Sequence, residues 1–136
     1  MLQAYSSGLT IAANVAFPCN NVVVDKGCAE QLTAPASIEL NKRGVYLVEV
    51  DGFGTGAAAG ADTIQLYRNG VALPQAISSI TATTTAISTF GFKTLIQVAD
   101  NNCNCNCYSS PVVLQVMNGE TGLEDAHINI VVTKIC

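Results

Sequence analysis

"GVYLVEVDGF", residues 44–53, sets Tyr46, Val48 and Val50 on one side of an extended chain and Glu49 and Asp51 on the other. Successive side chains of a strand point to opposite faces, so this alternation predicts a β-strand with one face buried. The pattern recurs in both directions from there. "DTIQLYRNG" (62–70) places Ile64 and Leu66 on one side and ends in Asn69-Gly70, a strong hairpin signal. "PVVLQVMNG" (111–119) opposes Val112, Leu114 and Val116 to Gln115 and again closes on Asn-Gly. "AHINIVVTKIC" (126–136) alternates Ile128, Ile130 and Val132 with His127, Asn129 and Thr133. The Thr- and Ile-rich stretch 78–99 is expected to hold two more strands, because β-branched residues suit a pleated, half-buried surface. Tyr46, Val48, Val50, Val112, Leu114, Val116, Ile128, Ile130 and Val132 form the expected packing set.

Helical signals are sparse. "GFGTGAAAGAD" (52–62) is rich in alanine, but Gly52, Gly54, Gly56 and Gly60 argue against a helix and for a flexible loop between strands. Strands recurring at roughly 10–15-residue intervals predict an all-β sandwich or barrel. The 136 residues suit one domain. Residues 1–31 are less regular and are expected to be an N-terminal arm, a candidate anchoring segment, or an outer pair of strands, ahead of a β domain over 32–136.

Only 12% of the residues are charged, and the net charge is −4. A soluble domain usually carries about twice that charged share. The chain therefore either buries surface in an oligomer or wears a neutral exterior. Its six basic residues, Lys26, Lys42, Arg43, Arg68, Lys93 and Lys134, are scattered along the sequence, which excludes an obvious nucleic-acid surface. No apolar run reaches the eighteen or so residues of a membrane span, and the N-terminus lacks the basic region of a secretory signal. Synthesis in a reducing cytoplasm without a signal peptide is expected.

"ADNNCNCNCYSSP" (99–111) puts Cys103, Cys105 and Cys107 at every second position; Cys19, Cys28 and Cys136 complete the six cysteines. In a strand, alternate residues share a face about 6.6–6.8 Å apart, near the outer limit for a disulfide. Six cysteines allow fifteen complete pairings, and the spacing selects none of them. Free or disulfide-linked thiols that pack a loop fit best. A thiolate cluster for zinc or iron is the sharper alternative, but Cys-x-Cys-x-Cys once is not the paired Cys-x₂₋₄-Cys of structural zinc sites. Locking by cross-linking in an oxidising medium would suit an extracellular particle.

His127 is the single histidine, and no Gly-x-Ser-x-Gly elbow or similar signature accompanies it, so it is expected on the surface. Glu120, Glu124 and Asp125 share "NGETGLEDA" (118–126), an oxygen-rich loop without the EF-hand pattern. The glycines of 52–62 lack the Gly-x-x-x-x-Gly-Lys of a phosphate loop. The residues point to no catalytic site, no metal and no cofactor.

The order of these landmarks resembles the tumour-necrosis-factor-like, complement-type jelly rolls. "SIELNKRGVYLVEVDGFG" (37–54) is similar to their I-x-L-x-x-x-G-x-Y-x-V opening, in which the Gly-x-Tyr, here Gly44 and Tyr46, begins a central inner strand. "TIQLYRNGVALPQA" (63–76) resembles their hairpin, "FKTLIQVADNN" (92–102) their T-L-x-x-V strand, and "HINIVVTKI" (127–135) their closing strand. The resemblance spans about residues 37–136. Within the class it is nearest to small bacteriophage head-fibre or capsid-decoration proteins, and similar also to the globular domain of spore-surface collagen-like glycoproteins. It implies a ten-strand jelly-roll β-sandwich that assembles as a homotrimer around an apolar three-fold axis. The function so implied is structural: a virion protein on the capsid surface, with the major capsid protein as partner. A chain that begins at Met1 suits a stand-alone virion component. The alternative is a receptor- or carbohydrate-binding fibre tip, or a spore-surface domain, reading a host glycan or receptor through its loops. Two departures weigh on the branches: there is no Gly-X-Y stalk, and four Tyr with four Phe is few for the cytokine branch.

Overall fold

The computed structural model describes residues 1–99 and 112–136. Among them run ten strands: β1 (Leu2–Ile11), β2 (Asn21–Asp25), β3 (Glu30–Ala34), β4 (Ser37–Leu40), β5 (Gly44–Gly56), β6 (Gly60–Arg68), β7 (Val71–Ala82), β8 (Ile87–Val98), β9 (Val112–Asn118) and β10 (Leu123–Lys134). They make two five-stranded antiparallel sheets, ordered β2-β1-β10-β5-β8 (sheet A) and β3-β4-β9-β6-β7 (sheet B). The chain passes repeatedly from one sheet to the other, so each apolar face finds its partner across the sandwich.

The alternation read in the sequence fixes which face goes inward. Tyr46, Val48 and Val50 of β5 and Ile128, Ile130 and Val132 of β10 are buried side by side, in a register that pairs Val50 with Ile130 and Val48 with Val132. Ile64 and Leu66 of β6 and Val112, Leu114 and Val116 of β9 cover them from sheet B. Phe17 and Phe90 close the middle with ring centroids 5.7 Å apart. Asn69 and Gly70 take φ values of 50° and 80°. Both are left-handed, as a two-residue turn between twisted strands requires, and β6 and β7 pair on either side of them.

Three expectations change. Residues 1–31 are outer strands of the sandwich rather than an arm: β2 is the edge of sheet A and β1 lies between it and β10, with Leu2 and Ala4 buried. The inward set Leu2, Ala4, Ser6 is mostly small, and a register shift at Gly8 interrupts the strand, so the period is faint in the sequence. The glycine-alanine stretch is mostly strand: β5 runs to Gly56 and β6 resumes at Gly60, so only residues 57–59 form the expected loop between them. Its glycines answer crowding. A methyl group at Gly52 would collide with the His127 carbonyl oxygen and stand 2.6 Å from Phe90 Cζ. Finally, Asn118-Gly119 does not close a hairpin, because β9 and β10 belong to different sheets. Asn118 is buried and its amide donates to the carbonyl oxygens of Ala12 (3.1 Å) and Thr121 (2.9 Å), tying the crossover down.

Candidate functional site

An antiparallel sheet with one face in water should alternate apolar and polar residues cleanly. Sheet A does so on its inner face only. Its outer face carries Leu47 opposite Leu95, with Val131 nearby on β10, and an aromatic group one end further along. There the His127 ring stacks on Phe53 at 5.1 Å and lies 6.1 Å from Tyr5. Leu95 is 57% exposed and Phe53 38%. Between these two apolar zones runs a polar band. Gln3 donates to Asn129 Oδ1 at 3.1 Å and Asn129 to Asp51 Oδ1 at 3.2 Å, while Glu49 and Lys93 face each other in register. His127, expected on the surface, is half-buried in this face with aromatic neighbours.

The charges separate along the strands. Lys42 and Arg43 precede β5, Lys134 ends β10, Arg68 ends β6 and Lys26 follows β2. The antiparallel registers bring these positions to one end: Lys134 pairs with Tyr46, Leu2 with both Val132 and Asp25, and the Arg68 guanidinium donates to the Gln97 carbonyl at 3.0 Å. At the other end lie Asp62, Glu120, Glu124 and Asp125. Asp125 has φ 47°, where the β5–β10 register shifts. The basic residues, scattered in sequence, are thus gathered by the fold.

Each end also buries a carboxylate. Glu30 is 1% exposed and pairs with the Met1 ammonium, which also donates to the Lys26 carbonyl at 2.7 Å. Asp62 is 2% exposed. Its Oδ1 accepts from the Thr121 N–H at 3.2 Å, with Thr63 and Gly119 N–H groups also turned to the carboxylate. Burial raises the Asp62 carboxyl above the usual range and Glu120 adds to that, while the three N–H groups pull it back. Sequence reading assigned neither acid to the interior, although Asp62 shares the phase of Ile64 and Leu66.

Of the expected thiols, Cys19 is buried, whereas Cys28 and Cys136 are exposed; all three are free. Cys103, Cys105 and Cys107 lie outside the described residues. Glu120, Glu124 and Asp125 are exposed, and among the described residues no group of three or more His, Cys, Asp or Glu is placed to hold a metal. The apolar pocket between the sheets, lined by Phe17, Cys19, Leu32, Leu66 and Leu114, has about 10 Å³, room for one water-sized sphere. Among the described residues no helix is long and apolar enough to cross a membrane.

No family model matches the chain, and no curated protein matches it. Solved structures do. The globular domain of zebrafish complement 1qA protein superposes with a TM-score of 0.73 at 7% identity, over 99% of this chain and 96% of that one. Eiger TNF from S. frugiperda gives 0.68 at 13% identity, over 98% and 92%. The PRD1 phage vertex protein P5 gives 0.63 at 19% identity, over 99% and 96%. The chain has the fold of the tumour-necrosis-factor-like, complement-type jelly rolls.

Proposed function

We propose that the protein is a non-enzymatic structural component of a bacteriophage virion, a homotrimer displayed on the capsid. The observation that carries this reading is the outer face of sheet A, with Leu47, Leu95, Val131, Phe53, Tyr5 and His127 on a face that would otherwise be polar. A side chain fully buried there contributes about 1.5–3 kcal/mol, and three copies of such a face suffice to hold an assembly. The low charged fraction agrees, and so does the likeness in fold to a phage vertex protein. The fold resemblance implies three copies around an axis. The work done is geometric: the jelly roll presents a rigid body on a larger shell, and residues 1–31, as part of that body, reach the capsid partner through the folded surface.

The purified protein should have a solution mass three times that of one chain at micromolar concentration. Leu47→Arg with Leu95→Arg should give single copies that retain the β circular-dichroism spectrum. Antibody against the protein should label the heads of intact particles. A wild-type mass of one copy refutes the trimer; label on tails alone refutes the capsid position.

A further inference from the structure

The fold gathers the basic residues at one end of the sandwich and leaves the opposite end acidic. Five of the six basic side chains, Lys26, Lys42, Arg43, Arg68 and Lys134, occupy one end of the sandwich. The sixth, Lys93, sits mid-sheet opposite Glu49. Among the described residues the acids at the basic end are exposed Asp25, half-buried Glu39, and Glu30 buried beneath Met1. At the far end Glu120, Glu124 and Asp125 are exposed, Asp62 is buried behind them with Oδ2 accepting no hydrogen bond from the described residues, and none of the six bases is there. Each end also offers apolar surface: Val71 and Ile135 at the basic end, 67% and 53% exposed, and Ile87 at the acidic end, 67% exposed and in the same cross-strand row as Glu124.

The ends are too far apart to neutralise each other. β10 has 12 residues and spans about 40 Å, several Debye lengths at physiological salt. The acidic end of another copy, with exposed Ile87 at its edge, complements the basic end and its exposed Val71 and Ile135 in charge and in apolar surface. The geometry points to end-to-end association: the Lys26, Lys42, Arg43, Arg68, Lys134 end of one copy docks on the Glu120, Glu124, Asp125 end of the next. Such a contact joins two different patches at opposite ends of the body, so each copy keeps a free end and the contact can repeat along the strand direction. Copies aligned side by side would add their end charges, but the contact needs only single chains and is independent of the trimer reading.

Sedimentation and small-angle scattering test it. At about 10 mM salt, where the screening length is about 30 Å, the wild type should grow in mass and in its longest dimension; at about 1 M, where it is about 3 Å, it should return to its basic unit. The mass at high salt reports the proposed trimer, and only the change with salt reports stacking. Lys42→Glu with Arg43→Glu and Lys134→Glu should abolish the growth. Glu120→Lys with Glu124→Lys and Asp125→Lys should do so as well. An equimolar mixture of the two variants, one with two acidic ends and one with two basic ends, should elongate again, while Lys93→Glu, away from both ends, should leave the salt-dependent growth in place. These side chains are exposed, and an unchanged high-salt mass verifies that each variant folds. Equal wild-type mass at both salts overturns the proposal, and so does growth that survives either triple reversal. Retention of the non-associating wild type on duplex DNA or on anionic phospholipid vesicles would assign the basic end to that partner instead.

Discussion

Glu30 at the basic end and Asp62 at the acidic end are both almost wholly removed from water, yet the fold answers them by different means. Glu30 faces a charge, the ammonium of Met1, a residue that is 51% exposed. Asp62 faces dipoles, the N–H groups of Thr63, Gly119 and Thr121, and its neighbour Glu120 repels it. Around Asp62 the polar groups interlock. Asn118 donates to Ala12 and Thr121, and the Thr121 hydroxyl donates to the Ala61 carbonyl at 3.1 Å. Around Glu30 the second polar group is Tyr46, whose hydroxyl donates to the Lys42 carbonyl at 2.6 Å and the Ala29 carbonyl at 3.3 Å. A partner that is itself half in water gives back little when it is lost, whereas buried backbone donors have nowhere else to turn. The acidic end is therefore the more fragile of the two.

The widest separation should come from truncation. Asp62→Ala strands the buried Thr121 N–H and the half-buried Thr63 and Gly119 N–H groups and should cost about 3 kcal/mol, read as a shift of the urea midpoint. Asp62→Asn keeps an acceptor for them and removes the desolvated charge, so it should cost below about 1 kcal/mol near neutral pH. The two forms should then diverge with acid. Because the folded Asp62 holds its proton more tightly than the unfolded chain, its contribution is complete below the unfolded value, about 3.9, and is lost as pH rises through the folded value. Wild type should accordingly gain on Asp62→Asn as the pH falls from about 7 to about 4. A constant difference across that range would mean that Asp62 is not desolvated.

At the basic end the effects should be smaller. Tyr46→Phe removes the donor to Lys42 and Ala29 from a fully buried ring and should cost about 1.5 kcal/mol. The Tyr46 hydroxyl is itself raised above the usual phenol range, by burial first and then by the Glu30 charge, against the pull of the Lys42 hydrogen bond. Glu30→Gln should cost about 1 kcal/mol or less, since the ammonium it releases is solvated already. A larger loss for Glu30→Gln than for Asp62→Ala would invert the comparison.

How much of this was legible in the sequence depends on the residue. Val48, Val50, Ile130 and Val132 announce their burial, because large apolar residues at alternate positions leave one arrangement. Gly52 did not, because its reason lies in the His127 carbonyl and the Phe90 ring, which reach it from other strands. The phase that placed Ile64 and Leu66 inward also places Asp62 inward, and Leu32 carries Glu30 with it; the period was readable, but the charge argued against following it. Leu2, Ala4 and Ser6 keep the same phase with too little apolar mass to stand out. The gathering of Lys26, Lys42, Arg43, Arg68 and Lys134 was beyond any local reading, since it follows from which strand ends meet.

The slightest effect, chemical and without change in stability, uses the thiols to probe the two environments. Cys19 lies among Phe17, Leu32 and Leu114, and burial pushes its thiol up to about 11. Near pH 8 about a thousandth of it is thiolate, the reactive form, before any shielding is counted. Cys28 and Cys136 are exposed, and both flank the basic end, two residues before Glu30 and two after Lys134. Neutral iodoacetamide should therefore modify Cys28 and Cys136 in the folded protein and reach Cys19 only in denaturant, as peptide mass mapping would record. Anionic iodoacetate should gain on iodoacetamide at Cys28 and Cys136 in low salt, because the neighbouring Lys26 and Lys134 concentrate anions there, and salt should erase the gain. A reagent ratio indifferent to salt would show that the basic side chains do not act as one field at that end.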